Sequence, residues 1–108
     1  MIDKSTVEQL LKFRDERDWQ QFHNSKDLAL ALSIEASELL EVFLWKQNED
    51  FNRDKLEEEL ADVFMYGILL ADKNKIDINN IILKKLHKNG EKYPVDKAKG
   101  KSDKYDEL

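Results

Sequence analysis

Ser25–Lys46, SKDLALALSIEASELLEVFLWK, is the stretch on which the fold turns. It predicts a helix opening after Asn24 or Ser25 and running to about Lys46. At roughly 100° per residue, Leu30, Leu32, Ile34, Leu39, Leu40, Phe43 and Leu44 scatter around most of its circumference. A helix apolar nearly all round needs neighbours on several sides. A 108-residue chain with about four helices supplies few of them, so self-association is the economical reading. A buried helix in a larger monomer core is the alternative.

Three further helices flank this one. Ser5-Thr6-Val7-Glu8 has the form of a capping box, followed by Val7, Leu10, Leu11 and Arg14 at helical spacing and ending near Trp19. Asp54-Lys55-Leu56-Glu57 opens a helix expected to reach about Asp72. Another follows Asp77 and should stop at Asn89-Gly90. The remainder, through Tyr93-Pro94 and a Lys-rich tail, reads as extended or irregular. With no β pattern, repeat or linker, the expectation is one all-α domain over residues 1–108, with a basic tail over about 90–108.

Composition narrows the function. The chain has no Cys, which excludes disulfide scaffolds, thiolate zinc sites and Cys nucleophiles. It shows neither a signal-peptide pattern nor a membrane-length apolar run, so a cytoplasmic protein without membrane contact is expected. Residues 1–83 carry 10 Lys/Arg against 18 Asp/Glu, a net −8, whereas residues 84–104 carry 8 Lys against 3 acids, a net +5. An acidic body repels nucleic-acid phosphates, so nucleic acid is not an expected partner. The basic tail is either solvated surface or a cover for phosphates held at the body by a metal.

The acidic residues of the apolar helices carry the chemistry. Glu35 and Glu38 lie three residues apart on one face, on a stripe shared with Ala31, Val42 and Trp45. Like charges at that spacing repel, more so in an apolar setting, and need compensation. Glu59 and Asp62 repeat the arrangement on the next helix, with Tyr66 one turn further. Singly, each pair reads as a solvated helix face. Together, in otherwise apolar segments, they can form a four-carboxylate cage of hard oxygens suited to Mg²⁺ or Mn²⁺. A ferritin-type di-iron site would need Glu-x-x-His pairs. Here His23 and His87 are preceded three residues earlier by Gln20 and Lys84, so that reading fails.

The pattern Glu35-x-x-Glu38, then Glu59-x-x-Asp62 after 20 residues, resembles the ExxE…ExxD signature of the all-α MazG-like nucleoside triphosphate pyrophosphohydrolases. The likeness extends to Glu16-Arg17-Asp18-Trp19-x-Gln21-Phe22-His23, Glu41-x-Phe43-x-Trp45-Lys46, Glu58-Glu59-Leu60-Ala61-Asp62-Val63 with Tyr66, and Lys92-Tyr93-Pro94-Val95 with Lys104-Tyr105. These runs are similar to the dCTP pyrophosphatase branch, and they cover roughly residues 7–108.

The resemblance implies a four-helix bundle-type fold assembled as a homodimer or tetramer. It implies Mg²⁺-dependent cleavage of a nucleoside triphosphate, dCTP or a related pyrimidine dNTP, between the α- and β-phosphates. On its pattern Glu35, Glu38, Glu59 and Asp62 are metal ligands, and Trp19, Trp45 and Tyr66 surround base and sugar. Lys85, Asn89, Lys92 and Tyr93 approach the nucleotide from the C-terminal motif. Glu38, with Glu41 second, is the expected proton acceptor. His23 either caps a helix or reaches the nucleotide, and the structural role is favoured. The chain departs from the pattern at Gly90, where relatives often carry a basic residue, and at Leu10, where some dCTP-selective members carry His, which leaves the preferred base open. A non-catalytic helical nucleotide sensor or adaptor is the competing class. Hydrolysis of a phosphoribosyl-ATP-like metabolite fits the aromatic residues less well.

Overall fold

A computed structural model describes residues 2–107, all helix, turn or irregular chain, with no strand among them. The chain divides into two compact units, Met1–Ile76 and Asp77–Leu108. The first contains α1 (Lys4–Glu16), a 3₁₀ turn (Trp19–Phe22), α2 (Ser25–Glu41) and α3 (Arg53–Lys73). The second contains α4 (Ile78–Lys92), the single turn α5 (Val95–Ala98) and a 3₁₀ turn at Tyr105–Glu107.

In the first unit α2 and α3 form the dominant packing pair. Asn24 opens α2 by accepting from the Asp27 N–H at 2.8 Å while its amide donates to the Asp27 carboxylate at 2.8 Å. Asn52 opens α3 in the same way, accepting from the Lys55 N–H at 3.1 Å. The Asn74 amide donates to Ser25 Oγ at 3.1 Å, tying the end of α3 to the start of α2, so the two helices run antiparallel. Leu28 of α2, 2% exposed, packs in a core shared with Ile68, Leu69 and Ala71 of α3. That core lies toward the Asn74–Ser25 end, leaving the carboxylates further along the pair. Leu30, Ile34 and Leu40 on α2 and Phe64 on α3 remain exposed.

Five boundaries differ from the sequence reading, and one of them is the end of α1, at Glu16 rather than near Trp19. The Ser5–Glu8 box does not form, because the N-cap of α1 is Asp3, two residues earlier, and Ser5 lies inside the helix, where it accepts from the Gln9 side chain. The α3 cap is Asn52 rather than Asp54, whose carboxylate sits in the first turn instead. Helix α2 stops at Glu41, not Lys46: the chain turns so that the Phe43 ring meets Phe51 edge-on at 4.9 Å. Trp45 therefore leaves the Glu35/Glu38 stripe and sits in a left-handed conformation at φ 61°. Helix α4 runs through Gly90 to Lys92 and ends where Pro94 disfavours a helical Tyr93.

In the second unit Asp77 caps α4 by accepting from the Asn80 N–H at 3.2 Å. The tail is not extended: Tyr105 folds back so that its ring meets Tyr93 edge-on at 6.1 Å, and Lys92 Nζ lies 4.8 Å over the Tyr105 ring. No helix among the described residues is long and apolar enough to cross a membrane.

Candidate metal centre and nucleotide pocket

The antiparallel register of α2 and α3 sets the two carboxylate pairs against each other. Glu35, Glu38 and Glu59 each place a carboxylate oxygen within 4.8 Å of the others. Asp62, one turn beyond Glu59, lies outside that close group, although its charge acts on both Glu35 and Glu59. Glu35 and Glu59 are half-buried and Glu38 is exposed. One oxygen of Glu35 and one of Glu59 are buried without a hydrogen-bond partner.

That arrangement has an electrostatic signature. Loss of hydration, first, and then the hydrogen bond and charge of Glu38 push the Glu35 carboxyl up to about 7. Glu59 is raised for the same reasons in the same order. Buried, unpartnered anionic oxygens are costly unless something positive meets them. A divalent cation of oxygen preference fits all three observations: the donor chemistry, the close spacing and the orphaned oxygens. The outer face of α2 is different. Glu41 is its exposed last residue and lies outside the cluster.

A cavity of about 660 Å³ opens beside the carboxylates, with Glu35 and Asp62 in its wall. Trp19 and Tyr66 line it, as do Leu10, Phe13, Met65 and Leu69. Phe13 and Trp19 meet edge-on at 5.8 Å, which fixes the indole against α1. Trp45 is not among the lining residues and is 93% exposed. His23 does line the cavity. Burial, and then the charge of Arg14, lower its pKa, so the imidazole is neutral at physiological pH, with Nδ1 buried and unpartnered.

Arg14 was the functional candidate that sequence reasoning missed. It is 7% exposed, lines the cavity, and donates from Nε to Asp15 at 2.8 Å and from Nη1 to Asp72 at 2.9 Å. The available signal was its place on the Val7, Leu10, Leu11 stripe, which a solvated arginine would avoid.

The C-terminal candidates belong to the second unit. Lys85, Asn89 and Lys92 share one face of α4 by spacing, with Tyr93 just past its end. The Tyr93 N–H donates to the Asn89 carbonyl at 2.8 Å.

A family model described as MazG-like matches residues 30–108. The chain is 38% identical over 105 residues to dCTP pyrophosphatase 1 of Bos taurus, covering 90% of this chain and 62% of that one. It is 39% identical over the same length to dCTP pyrophosphatase 1 of Homo sapiens, with the same coverage. The chain thus spans less than two thirds of the length of these relatives. Among solved structures, a pyrophosphatase from Archaeoglobus fulgidus superposes with a TM-score of 0.80 at 37% identity, covering 84% of this chain and 91% of that one.

Proposed function

The chain belongs to the MazG-like family, and on that footing we propose that it is a divalent-metal-dependent nucleoside triphosphate pyrophosphohydrolase. It cleaves between the α- and β-phosphates of a deoxynucleotide of the dCTP class, giving a monophosphate and pyrophosphate. The observation that carries the reading is the group of three carboxylates within 4.8 Å, two of them with orphaned buried oxygens, beside a cavity walled by Trp19 and Tyr66. An adaptor or sensor has no use for that clustered charge.

Glu35, Glu38 and Glu59, with Asp62 adjacent, are the residues that would hold Mg²⁺ or Mn²⁺. Such an ion offsets the triphosphate's charge and makes water easier to deprotonate near neutral pH. Glu38, the exposed member of the cluster, accepts the proton of the attacking water; Glu41, outside the cluster, is the second candidate. Trp19 and Tyr66 wall the nucleoside and keep water from it. Lys85, Asn89, Lys92 and Tyr93 serve the phosphates, where lysine ammonium groups stabilise charge on the leaving pyrophosphate.

The active form is a homodimer or tetramer in solution, located in the cytoplasm. Leu30, Ile34 and Leu40, the last 71% exposed, leave apolar side chains on the outside of α2 that a second copy covers. Trp45 fits the same picture. A left-handed, almost fully exposed indole gains nothing within its own chain, and it completes the nucleotide site of a neighbouring copy.

The test is pyrophosphate release from a panel of dNTPs with Mg²⁺ and with chelator. Metal-dependent release is expected. Absence of release from every nucleotide favours the adaptor.

A further inference from the structure

Most of the cavity wall away from the carboxylates is apolar, and Arg14 interrupts it with a charge. A guanidinium carries five N–H donors in a rigid fork. Two of them are used, by Asp15 and Asp72, and no hydrogen bond among the described residues engages Nη2. In the same wall Leu10, Phe13, Met65, Ile68 and Leu69 offer no side-chain oxygen or nitrogen acceptor, and Thr6 and Gln9, which do, make no hydrogen bond to Arg14 among the described residues. Beyond the two aspartates the guanidinium keeps free N–H donors at the cavity wall, so the site favours a ligand that brings acceptors.

The anchor also says which part of a ligand arrives there. Asp72 lies ten residues beyond Asp62 on α3, about 15 Å along the helix axis. A nucleotide whose phosphates are held at the carboxylates would reach across its sugar to place its base toward Arg14, between Trp19 and Tyr66. Asp15 and Asp72 hold the fork by two nitrogens and so set its orientation before any ligand enters.

We propose that Arg14 reads the base, donating to two adjacent acceptors on its edge, so that the substrate is a nucleoside triphosphate whose base presents such an edge. The inference rests on the pyrophosphohydrolase reading of this site. Cytosine qualifies through O2 and N3, and guanine through O6 and N7. Uracil and thymine set the N3–H donor against the guanidinium, and adenine sets its amino group there, so none of the three offers the fork two adjacent acceptors. His23 completes the wall. As a neutral imidazole it is free of like-charge repulsion with Arg14 and brings both a donor and an acceptor.

The experiment is kcat/KM for dCTP, dGTP, dTTP, dUTP and dATP, measured on the full chain and on Arg14→Lys and Arg14→Gln. In the unaltered protein dCTP or dGTP should lead the other three by about tenfold or more, the size of discrimination given by a bidentate arginine contact. Which of the two leads identifies the base. Arg14→Lys keeps a charge for Asp72 but loses the fork, so the preference should collapse toward equality. Arg14→Gln, if it folds, should do the same. If Arg14 only ties α1 to α3, its replacement lowers turnover of every nucleotide by one common factor and leaves the ratios intact. That outcome overturns the proposal, as does equal turnover of all five bases by the unaltered protein. No hydrolysis of any nucleotide with Mg²⁺ or Mn²⁺ overturns the pyrophosphohydrolase reading and this inference together; hydrolysis without discrimination overturns this inference alone.

Discussion

Metal binding at the carboxylate cluster should be coupled to a proton near neutral pH, and the size of the coupling follows from Glu35. Its carboxyl is pushed up to about 7 by lost hydration and by Glu38, Asp62 and Glu59. A cation takes the ionised form. Glu35 is about one-tenth ionised at pH 6 and about nine-tenths at pH 8, so apparent affinity should fall about tenfold from pH 8 to pH 6 through this residue alone. About half a proton should be released per ion bound at pH 7. For the metal-free fold the sign is opposite. The folded-state value lies above the ordinary 4.5, so between those limits the folded chain holds more protons than the unfolded one. Metal-free stability from this group is therefore greatest on the acid side and declines as pH rises through that window. Calorimetric titration of Mn²⁺ at pH 6, 7 and 8, in buffers of different ionisation enthalpy, measures affinity and proton release together. Glu35→Gln should bind more weakly and lose most of the pH slope. An affinity flat from pH 6 to 8, or an undiminished slope in Glu35→Gln, would remove Glu35 from the metal site.

Other perturbations separate chemistry from scaffold. Glu38→Ala should abolish turnover while leaving the circular dichroism helical, and near-native turnover would remove Glu38 from the site. Leu28→Ala, at the most buried position of the α2–α3 contact, should cost about 2–5 kcal/mol in denaturant unfolding and weaken metal binding by loosening the register. Trp45→Gly relieves a left-handed backbone, so the unfolding midpoint should not drop, whereas KM should rise; an unchanged KM argues against a nucleotide contact. Truncation after Asn89 removes Lys92 and Tyr93 and should raise KM and lower kcat, with kinetics equal to the full chain marking the tail as solvated surface.

The sequence was most legible where spacing alone decides geometry. Two i, i+3 acidic pairs on apolar helices place their charges on one face whatever the loop does, and an antiparallel pairing then brings three of the four together. Asp77 was readable as a cap because its side chain answers its own local backbone. Trp45 was misplaced because the end of α2 is decided by a contact between Phe43 and Phe51 eight residues apart, which helical periodicity does not encode. The α4 terminus was misjudged because Gly90 is tolerated inside a helix whose stop comes from Pro94. Arg14 stayed hidden because its burial depends on Asp72, 58 residues away. The return of Tyr105 to Tyr93 and Lys92 lies equally beyond any local pattern.

A carboxylate cluster that supports cleavage between the α- and β-phosphates fixes which products leave the site. Phosphorus NMR of the products formed from the preferred dNTP with Mg²⁺ reads them out. Monophosphate and pyrophosphate should form in equal amounts, and neither should form from Glu59→Gln. Diphosphate with orthophosphate, or the same products from Glu59→Gln at an undiminished rate, would contradict cleavage at that bond by the carboxylate cluster.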